Sequence, residues 1–288
     1  MSEGLDRREV SFAQAEGVEG LPTQLQLKQL SVELRSYLWK VIFDSFQESI
    51  DYERRVYPRS YYFVTPWRDI FRDWWIKKLH KFIDEFGNSY ESWTDRIKNI
   101  FVIGDYIEIF DFVQFVLRHP KCPYQLESTL NTALVEGHSA YRIEDKTVIP
   151  ITSESDAEVI STAFKAAKEA GFEGATSHLK KAGEELTHGN WSDSVRESIH
   201  AVESALRIVE STKSTLSSAL VAMEKSEKIN PNLKRAMNAL YDYTSDEEGV
   251  RHAKIFDDTR VGEADALYMF GVCSSFITFL KVRFSSGA

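Results

Sequence analysis

Cysteine is scarce in this chain of 288 residues, which contains only Cys122 and Cys273. Cys273 falls inside an apolar pattern of helical spacing, where a free thiol behaves as a small hydrophobic side chain. Small secreted proteins that rely on disulfides use many more cysteines than this. We therefore expect no disulfide and a reducing compartment.

The sequence also lacks the patterns of secretion and of membrane insertion. Its first residues, MSEGLDRREV, carry mixed charge and no apolar core, unlike a signal peptide. No stretch reaches the ~18 apolar residues of a transmembrane helix without a charge. We therefore expect a soluble, cytoplasmic protein that does not associate with membranes.

Local signatures of the common metal and cofactor enzymes are missing as well. HExxH, paired CxxC and the calcium-loop spacing do not occur. The phosphate-loop pattern, the dinucleotide-binding pattern GxGxxG and the nucleophile elbow GxSxG do not occur either. We therefore expect no metal site and no cofactor, which leaves acid–base chemistry by side chains as the remaining kind of catalysis.

The chain does not have the excess of basic residues that is typical of proteins that coat nucleic acids, since its formal net charge is -9. Residues 1–173 carry 21 Lys or Arg and 28 Asp or Glu, a net of -7, whereas residues 174–288 carry 14 and 16, a net of -2. Any contact with RNA must therefore be local, and the C-terminal half repels a polyanion less.

Helical periodicity fills most of the chain. Leu34, Leu38, Ile42 and Phe46 recur every four positions, which predicts the buried stripe of a first helix capped by Ser31. Residues 65–87 predict a second helix, and the very apolar residues 97–117 predict a single third one. Another short helix is predicted to end near residue 136.

The one convincing strand signal lies in residues 140–151, where β-branched and aromatic residues alternate around Glu144, Asp145 and Lys146. It predicts a small hairpin. Ser153, with Asp156 three residues later, then predicts the start of a helix that ends at residue 171. We interpret residues 1–152 as an N-terminal helical domain with one β-hairpin and residues 153–171 as a bridging helix.

Residues 172–288 predict five helices with short connections. The first ends at Gly189, and a long second helix capped by Ser192 runs to about residue 211. Helices over residues 215–228, 231–240 and 263–284 follow. The predicted fold is mainly α, and its C-terminal part is an up-down helical bundle.

A polar bend is predicted before the last helix, in residues 241–258, with the sequence YDYTSDEEGVRHAKIFDD. It contains Arg251, whose guanidinium suits a phosphate, and His252, whose imidazole exchanges a proton near neutral pH. Together they would suit RNA cleavage. The alternative is an exposed Arg-His pair at a helix start, balanced by neighbouring carboxylates.

The long helix of the bundle has a polar face beside its apolar stripe. Arg196, His200, Glu203 and Arg207 follow one another along this face in steps of three and four. Glu203 is the candidate to orient Arg251 or His252. The alternative is a solvated ladder of charges with only small attractions.

Several phrases of the chain resemble a known family. SVRESIHAVESALR, YDYTSDEEGVRHA and EADALYMFGVCSSFITFL, within residues 172–284, resemble HEPN domains (higher eukaryotes and prokaryotes nucleotide-binding) of AbiJ-like abortive-infection proteins. LRSYLWKV and GHSAYRIEDKTVIPITSESDAEVI resemble the N-terminal domain that accompanies them. The resemblance implies a bundle that dimerises, often as a metal-independent RNase whose Arg and His act on the 2'-hydroxyl and the scissile phosphate.

The leading hypothesis is thus a homodimeric endoribonuclease of a phage-defence or toxin-like system. Arg251, His252 and Glu203 are its predicted catalytic residues. The predicted RNA-binding residues are Arg196, His200, Lys254 and Arg260. Expected partners are RNA, a second copy joined through the C-terminal bundle, and an antitoxin or another defence protein. The alternatives are a non-catalytic module that binds a nucleotide, RNA or a partner protein, and a purely structural dimer.

Overall fold

The computed structural model of the protein describes residues 24–57, 61–212, 215–245 and 261–285. Within these ranges the chain forms eleven α-helices, one short 3-10 helix and two strands, which confirms the predicted mainly α fold with one small hairpin. The elements up to the hairpin are α1 (Val32–Val56), α2 (Trp67–Lys77), the 3-10 helix Ile83–Glu85, α3 (Tyr90–Ile103), α4 (Tyr106–Arg118), α5 (Leu126–Glu136), β1 (Tyr141–Glu144) and β2 (Thr147–Pro150). The elements after it are α6 (Glu154–Glu169), α7 (Glu173–His188), α8 (Trp191–Val209), α9 (Leu216–Lys225), α10 (Pro231–Ser245) and α11 (Glu263–Ser285).

The first hydrophobic core is built around α1. The predicted stripe is confirmed, since Leu34, Leu38, Ile42 and Phe46 are fully buried. Ser31 caps the helix as predicted, and its Oγ accepts a hydrogen bond of 3.0 Å from the Leu34 amide. Burial of each such side chain stabilises the fold by roughly 1.5–3 kcal/mol relative to its exposure.

Aromatic rings fill the centre of this core. Phe71 stacks on Trp93 at 4.5 Å between ring centroids, and Phe46 meets the Trp67 ring edge-on at the same distance. All four rings are buried. Such pairs add about 0.5–1.5 kcal/mol beyond the area that they bury.

The second helix is shorter than the sequence pattern of residues 65–87 predicts. It ends at Lys77, and His80 adopts a left-handed backbone with φ of 51°, which an α-helix does not accommodate. Trp75 Nε1 donates a 2.8 Å hydrogen bond to the Phe82 carbonyl and holds the chain after the turn. The prediction of a helix through residue 87 is therefore wrong.

The predicted third helix is in fact two helices, α3 and α4. Asp105 begins α4 with a capping box: its Oδ1 accepts from the Glu108 amide at 2.9 Å, and Glu108 Oε2 accepts from the Asp105 amide at 3.3 Å. Arg35 donates to the carbonyls of Phe101 and Gly104, which lack helical partners at the end of α3. Apolar periodicity alone does not reveal this break.

The hairpin lies between two hydrophobic cores. Side chains alternate across a strand, so neighbouring residues of one strand point to opposite faces. Ile143 and its cross-strand partner Val148 belong to the first core, whereas Ile149 and the following Ile151 belong to the second. One two-stranded sheet is thus buried on both faces, and it forms a wall that the two halves share.

The turn of the hairpin is tied to the helices that follow it. Asp145 and Lys146 both have positive φ, 49° and 66°, as a two-residue primed hairpin turn requires. Asp145 pairs with Lys168 of α6 at 2.6 Å and with Lys180 of α7. Burial alone raises the pKa of Asp145, but the two ammonium groups outweigh it and lower that pKa.

The second core collects the buried side chains of α6 to α11. Gly189 ends α7 as predicted, and it adopts a left-handed conformation with φ of 78°. Two predicted boundaries are wrong: α8 begins at Trp191, before the expected cap Ser192, and α10 continues past residue 240 to Ser245. Ile160, Ala163, Phe164 and Ala167 of α6 also belong to this core.

Small residues allow α7 and α8 to approach closely. Ser194 of α8 is fully buried, and its Oγ donates to the Ala182 carbonyl of α7 at 2.9 Å. A Cβ added to Gly174 of α7 would lie 2.1 Å from Ser204 Oγ of α8. This close approach positions the polar groups described below.

One helix in the described part of the chain, α11 over Glu263–Phe284, is long and apolar enough to cross a membrane. The core helix of a soluble protein passes the same test. Here α11 packs against α6, α7 and α8, and its buried residues include Phe270, Cys273 and Ile277. Complete burial raises the pKa of the Cys273 thiol to about 12, which fits a structural cysteine.

The capping box of α4 yields a stability prediction. Asp105→Ala removes an acceptor for the Glu108 amide, so the free energy of unfolding should fall by about 1 kcal/mol. Urea denaturation followed by circular dichroism measures it. Asp95→Ala, at an exposed position inside α3, is the matched control and should change stability by less than about 0.5 kcal/mol. Equal losses in both variants would contradict the role of the cap.

Candidate functional site

The polar face of α8 carries three of the predicted site residues. Arg196, His200 and Glu203 are all half-buried, whereas Arg207, the last member of the predicted ladder, is exposed. α8 packs against α7, α10 and α11, so this face lies beside other helices along part of its length. The face is therefore only partly a solvated ladder of charges.

Arg196 is engaged within its own helix. Its Nη2 lies 2.7 Å from Asp193 Oδ1, one turn earlier. The Arg196 side chain is 41% exposed, which leaves the guanidinium accessible from solvent. A partly exposed pair of this kind contributes little to stability, roughly 0–1 kcal/mol, and can open at a small cost.

His200 belongs to a cluster that spans two helices. His178 of α7 lies against Glu197 of α8, with 2.7 Å between Nδ1 and Oε2. The His178 and His200 rings meet edge-on, with 5.4 Å between their centroids. One potential ligand atom from each of the three residues lies within 4.8 Å of the other two. All three side chains are half-buried.

The surroundings of His200 favour its neutral form. Burial lowers the pKa of His200, and His178 and Arg196 act in the same direction. The nearby carboxylates of Glu203 and Glu197 oppose this effect without reversing it. A neutral imidazole at neutral pH can accept a proton or bind a metal ion.

The cluster can carry out two kinds of chemistry. An ionised carboxylate only accepts hydrogen bonds, so Glu197 orients the His178 ring by accepting from its Nδ1. A carboxylate–imidazole pair of this kind serves as a proton acceptor in many enzymes. Two imidazoles and one carboxylate are also a common ligand set for zinc and related ions.

Sequence reasoning missed His178 and Glu197. Metal-binding motifs place their ligands in one short stretch of sequence, whereas these ligands come from two helices. A signal does exist, since Glu197 and His200 form a Glu-x-x-His pattern that places both on one face of α8. Metal sites of helical bundles use that spacing, and the antiparallel neighbour supplies the remaining ligands.

The other predicted site residues, Arg251, His252, Lys254 and Arg260, lie outside the described residues. The helices on either side of them, α10 and α11, both pack against α8. The predicted grouping of Arg251 and His252 with Glu203 stays a prediction.

The described part of the chain is largely helical, and a small hairpin separates its two hydrophobic cores. Residues 11–166, more than half of the chain, match the family model described as AbiJ N-terminal domain 4. The chain belongs to this family and is an AbiJ-like abortive-infection protein, which confirms the N-terminal part of the resemblance. Searches of curated proteins and of solved structures found no match. The resemblance of residues 172–284 to HEPN domains stays a prediction.

A double-mutant cycle tests the His178–Glu197 contact. Removal of either side chain leaves its half-buried partner without a hydrogen bond. His178→Ala and Glu197→Ala should therefore each lower the free energy of unfolding by about 1–3 kcal/mol. The double variant should lose less than the sum, by about 1 kcal/mol. Urea denaturation in the presence of EDTA measures all three.

The Arg196–Asp193 pair of the same helix is the matched control. Its coupling should stay below about 0.5 kcal/mol, because the pair is local and more exposed. Strictly additive losses for His178 and Glu197 would show that the two side chains do not interact in solution.

Proposed function

We propose that this protein is an effector of phage defence by abortive infection, and that its C-terminal helical part cleaves RNA without a metal ion. Membership in the AbiJ N-terminal domain 4 family carries the defence role. Support for cleavage comes from the resemblance of residues 172–284 to HEPN domains and from the Arg-His pair of the segment between α10 and α11.

In this proposal His252 is the general base. It takes the proton of the 2'-hydroxyl, the 2'-oxygen attacks the adjacent phosphorus, and the bond to the 5'-oxygen breaks. The leaving 5'-oxygen takes a proton from water, the protonated His252 returns its proton to the solvent, and the other product ends in a 2',3'-cyclic phosphate. Arg251 holds the phosphate and stabilises the charge that develops on its oxygens, and Glu203 orients the pair.

The remaining cations bind the RNA around the scissile bond. Lys254 and Arg260 neutralise neighbouring phosphates, and Arg196 and His200 extend the contact along α8. Arg196 can do so because it is partly exposed and its pairing with Asp193 is weak. These contacts make binding dependent on salt, as phosphate contacts do.

Two copies of the chain would complete the cleft. Adjacent residues on a helix point about 100° apart, so Arg251 and His252 serve one phosphate only at a bend or across a two-fold axis. The candidate interface is the outer stripe of α11. Tyr268, Ser275 and Val282 are exposed at intervals of seven residues, and residues 266–280 contain no charged side chain.

Nuclease activity is tested with purified protein, RNA and EDTA. The wild type should cut RNA and leave a 2',3'-cyclic phosphate, and its expression should arrest growth. His252→Ala should lower the rate by at least about 100-fold, because it removes the general base. Gel electrophoresis and end-group analysis of the products measure both.

His188→Ala, at an exposed histidine in the last turn of α7, is the matched control and should keep full activity. The melting temperature of each variant shows whether it remains folded. Unchanged cleavage by folded His252→Ala would reject the assignment of the base.

Dimerisation is tested with a charge on the α11 stripe. Tyr268 is 62% exposed, so Tyr268→Arg disturbs no core of the subunit but places two cations near each other across a two-fold interface. Light scattering coupled to gel filtration should give a dimer for the wild type and a monomer for this variant. Tyr124→Arg, at a tyrosine that is 93% exposed before α5, is the control and should remain a dimer. A monomeric wild type would reject the interface.

One observation favours a second candidate function, binding without cleavage. Residues 191–209, which form α8, carry Asp193, Glu197 and Glu203 against Arg196 and Arg207, a net of -1. A face of this charge suits a basic partner protein, such as an antitoxin or another defence component, better than a polyanion. Expression without growth arrest, together with no RNA cleavage, would favour this function.

A further inference from the structure

We propose that His178, Glu197 and His200 bind a divalent transition-metal ion such as zinc, which links α7 to α8. The site is separate from the proposed catalytic pair Arg251 and His252, and the metal has no step in RNA cleavage. His200, which is proposed above to contact RNA, can do so only while the site holds no metal ion. Among residues 24–57, 61–212, 215–245 and 261–285, these three form the one group of His, Cys, Asp and Glu side chains close enough to share an ion.

The geometry needs little rearrangement. Zinc bonds to nitrogen and oxygen are about 2.0–2.2 Å long, so the ligand atoms of a tetrahedral site lie about 3.4 Å apart. One ligand atom from each residue already lies within 4.8 Å of the other two. His178 and Glu197 are 2.7 Å apart because they share a proton. Replacement of that proton by the ion moves these two atoms apart by less than about 1 Å.

The packing of the helices fixes the ligands in advance. Glu197 and His200 are three residues apart on α8 and share one face. His178 reaches them from α7 because the two helices are close together: the buried Ser194 Oγ donates to the Ala182 carbonyl, and Gly174 has no side chain to collide with Ser204. The ligands thus stand on rigid elements, which reduces the entropy lost when an ion binds.

The donor set selects the kind of ion. Imidazole nitrogens suit zinc, cobalt, nickel and copper, whereas magnesium and calcium prefer sites made wholly of oxygen. Glu203 adds negative charge near His200, and Arg196, which Asp193 partly neutralises, is the opposing cation on the same helix. Three protein ligands leave a fourth position for water, as in zinc sites open to solvent.

Calorimetry and absorption spectroscopy test the proposal on the full chain, prepared without a histidine tag and freed of metal with EDTA. Titration with Zn²⁺ should show one equivalent bound, and Co²⁺ should give the visible absorption of a four-coordinate ion. Saturating Zn²⁺ should raise the melting temperature by about 5 °C, because the ion binds the folded state. Mg²⁺ and Ca²⁺ should produce no such rise.

Three variants locate the site. His178→Ala, His200→Ala and Glu197→Gln should each weaken Zn²⁺ binding by at least about 10-fold and abolish the Co²⁺ absorption. Glu197→Gln keeps the shape of the side chain, so it remains informative if an alanine variant does not fold. His188→Ala is the control and should bind Zn²⁺ like the wild type.

The proposal is overturned if the wild type binds no Zn²⁺, or if folded variants of all three residues bind it unchanged. Because the nuclease assay is carried out in EDTA, the two proposals fail separately. A chain that cuts RNA but binds no zinc contradicts only the metal site, and one that binds zinc but cuts no RNA contradicts only the nuclease.

Discussion

The burial of both faces of the hairpin is the constraint on which the rest of the structure depends. Val148 packs into the core around α1, and the next residue, Ile149, packs into the core around α8. Two strands alone are marginally stable in water, so the hairpin requires the packing of both cores, and each core in turn includes side chains of the hairpin. Asp145 strengthens this dependence, since it ties the turn to α6 and α7.

The candidate site follows from that arrangement. With α7 held against the hairpin, its small residues face α8, and the buried Ser194 fixes how closely the two helices pack. His178 then meets Glu197 and His200 at contact distance. The chemistry of the C-terminal half therefore rests on helix packing, whereas the predicted RNA chemistry rests on Arg251 and His252, in the segment between α10 and α11.

The sequence predicted those features that depend on local patterns. The stripe of α1, the hairpin around Asp145 and the end of α7 at Gly189 all have short-range causes, and all are found. The long apolar run of residues 97–117 predicted one helix, but Asp105 caps the start of a new helix within it. Apolar periodicity does not detect such a polar cap. The meeting of His178 with Glu197 could not be predicted, since it depends on how two helices pack.

The shared wall also limits how such proteins can diversify. Because neighbouring residues of β2 face different cores, insertion of a single residue there would turn every later side chain of the strand towards the wrong half. An exchange of the C-terminal half between relatives must therefore keep the hairpin whole and bring helices whose surface fits its second face. The match to the family model extends past the hairpin into α6. This extent agrees with a family domain that contains the whole hairpin.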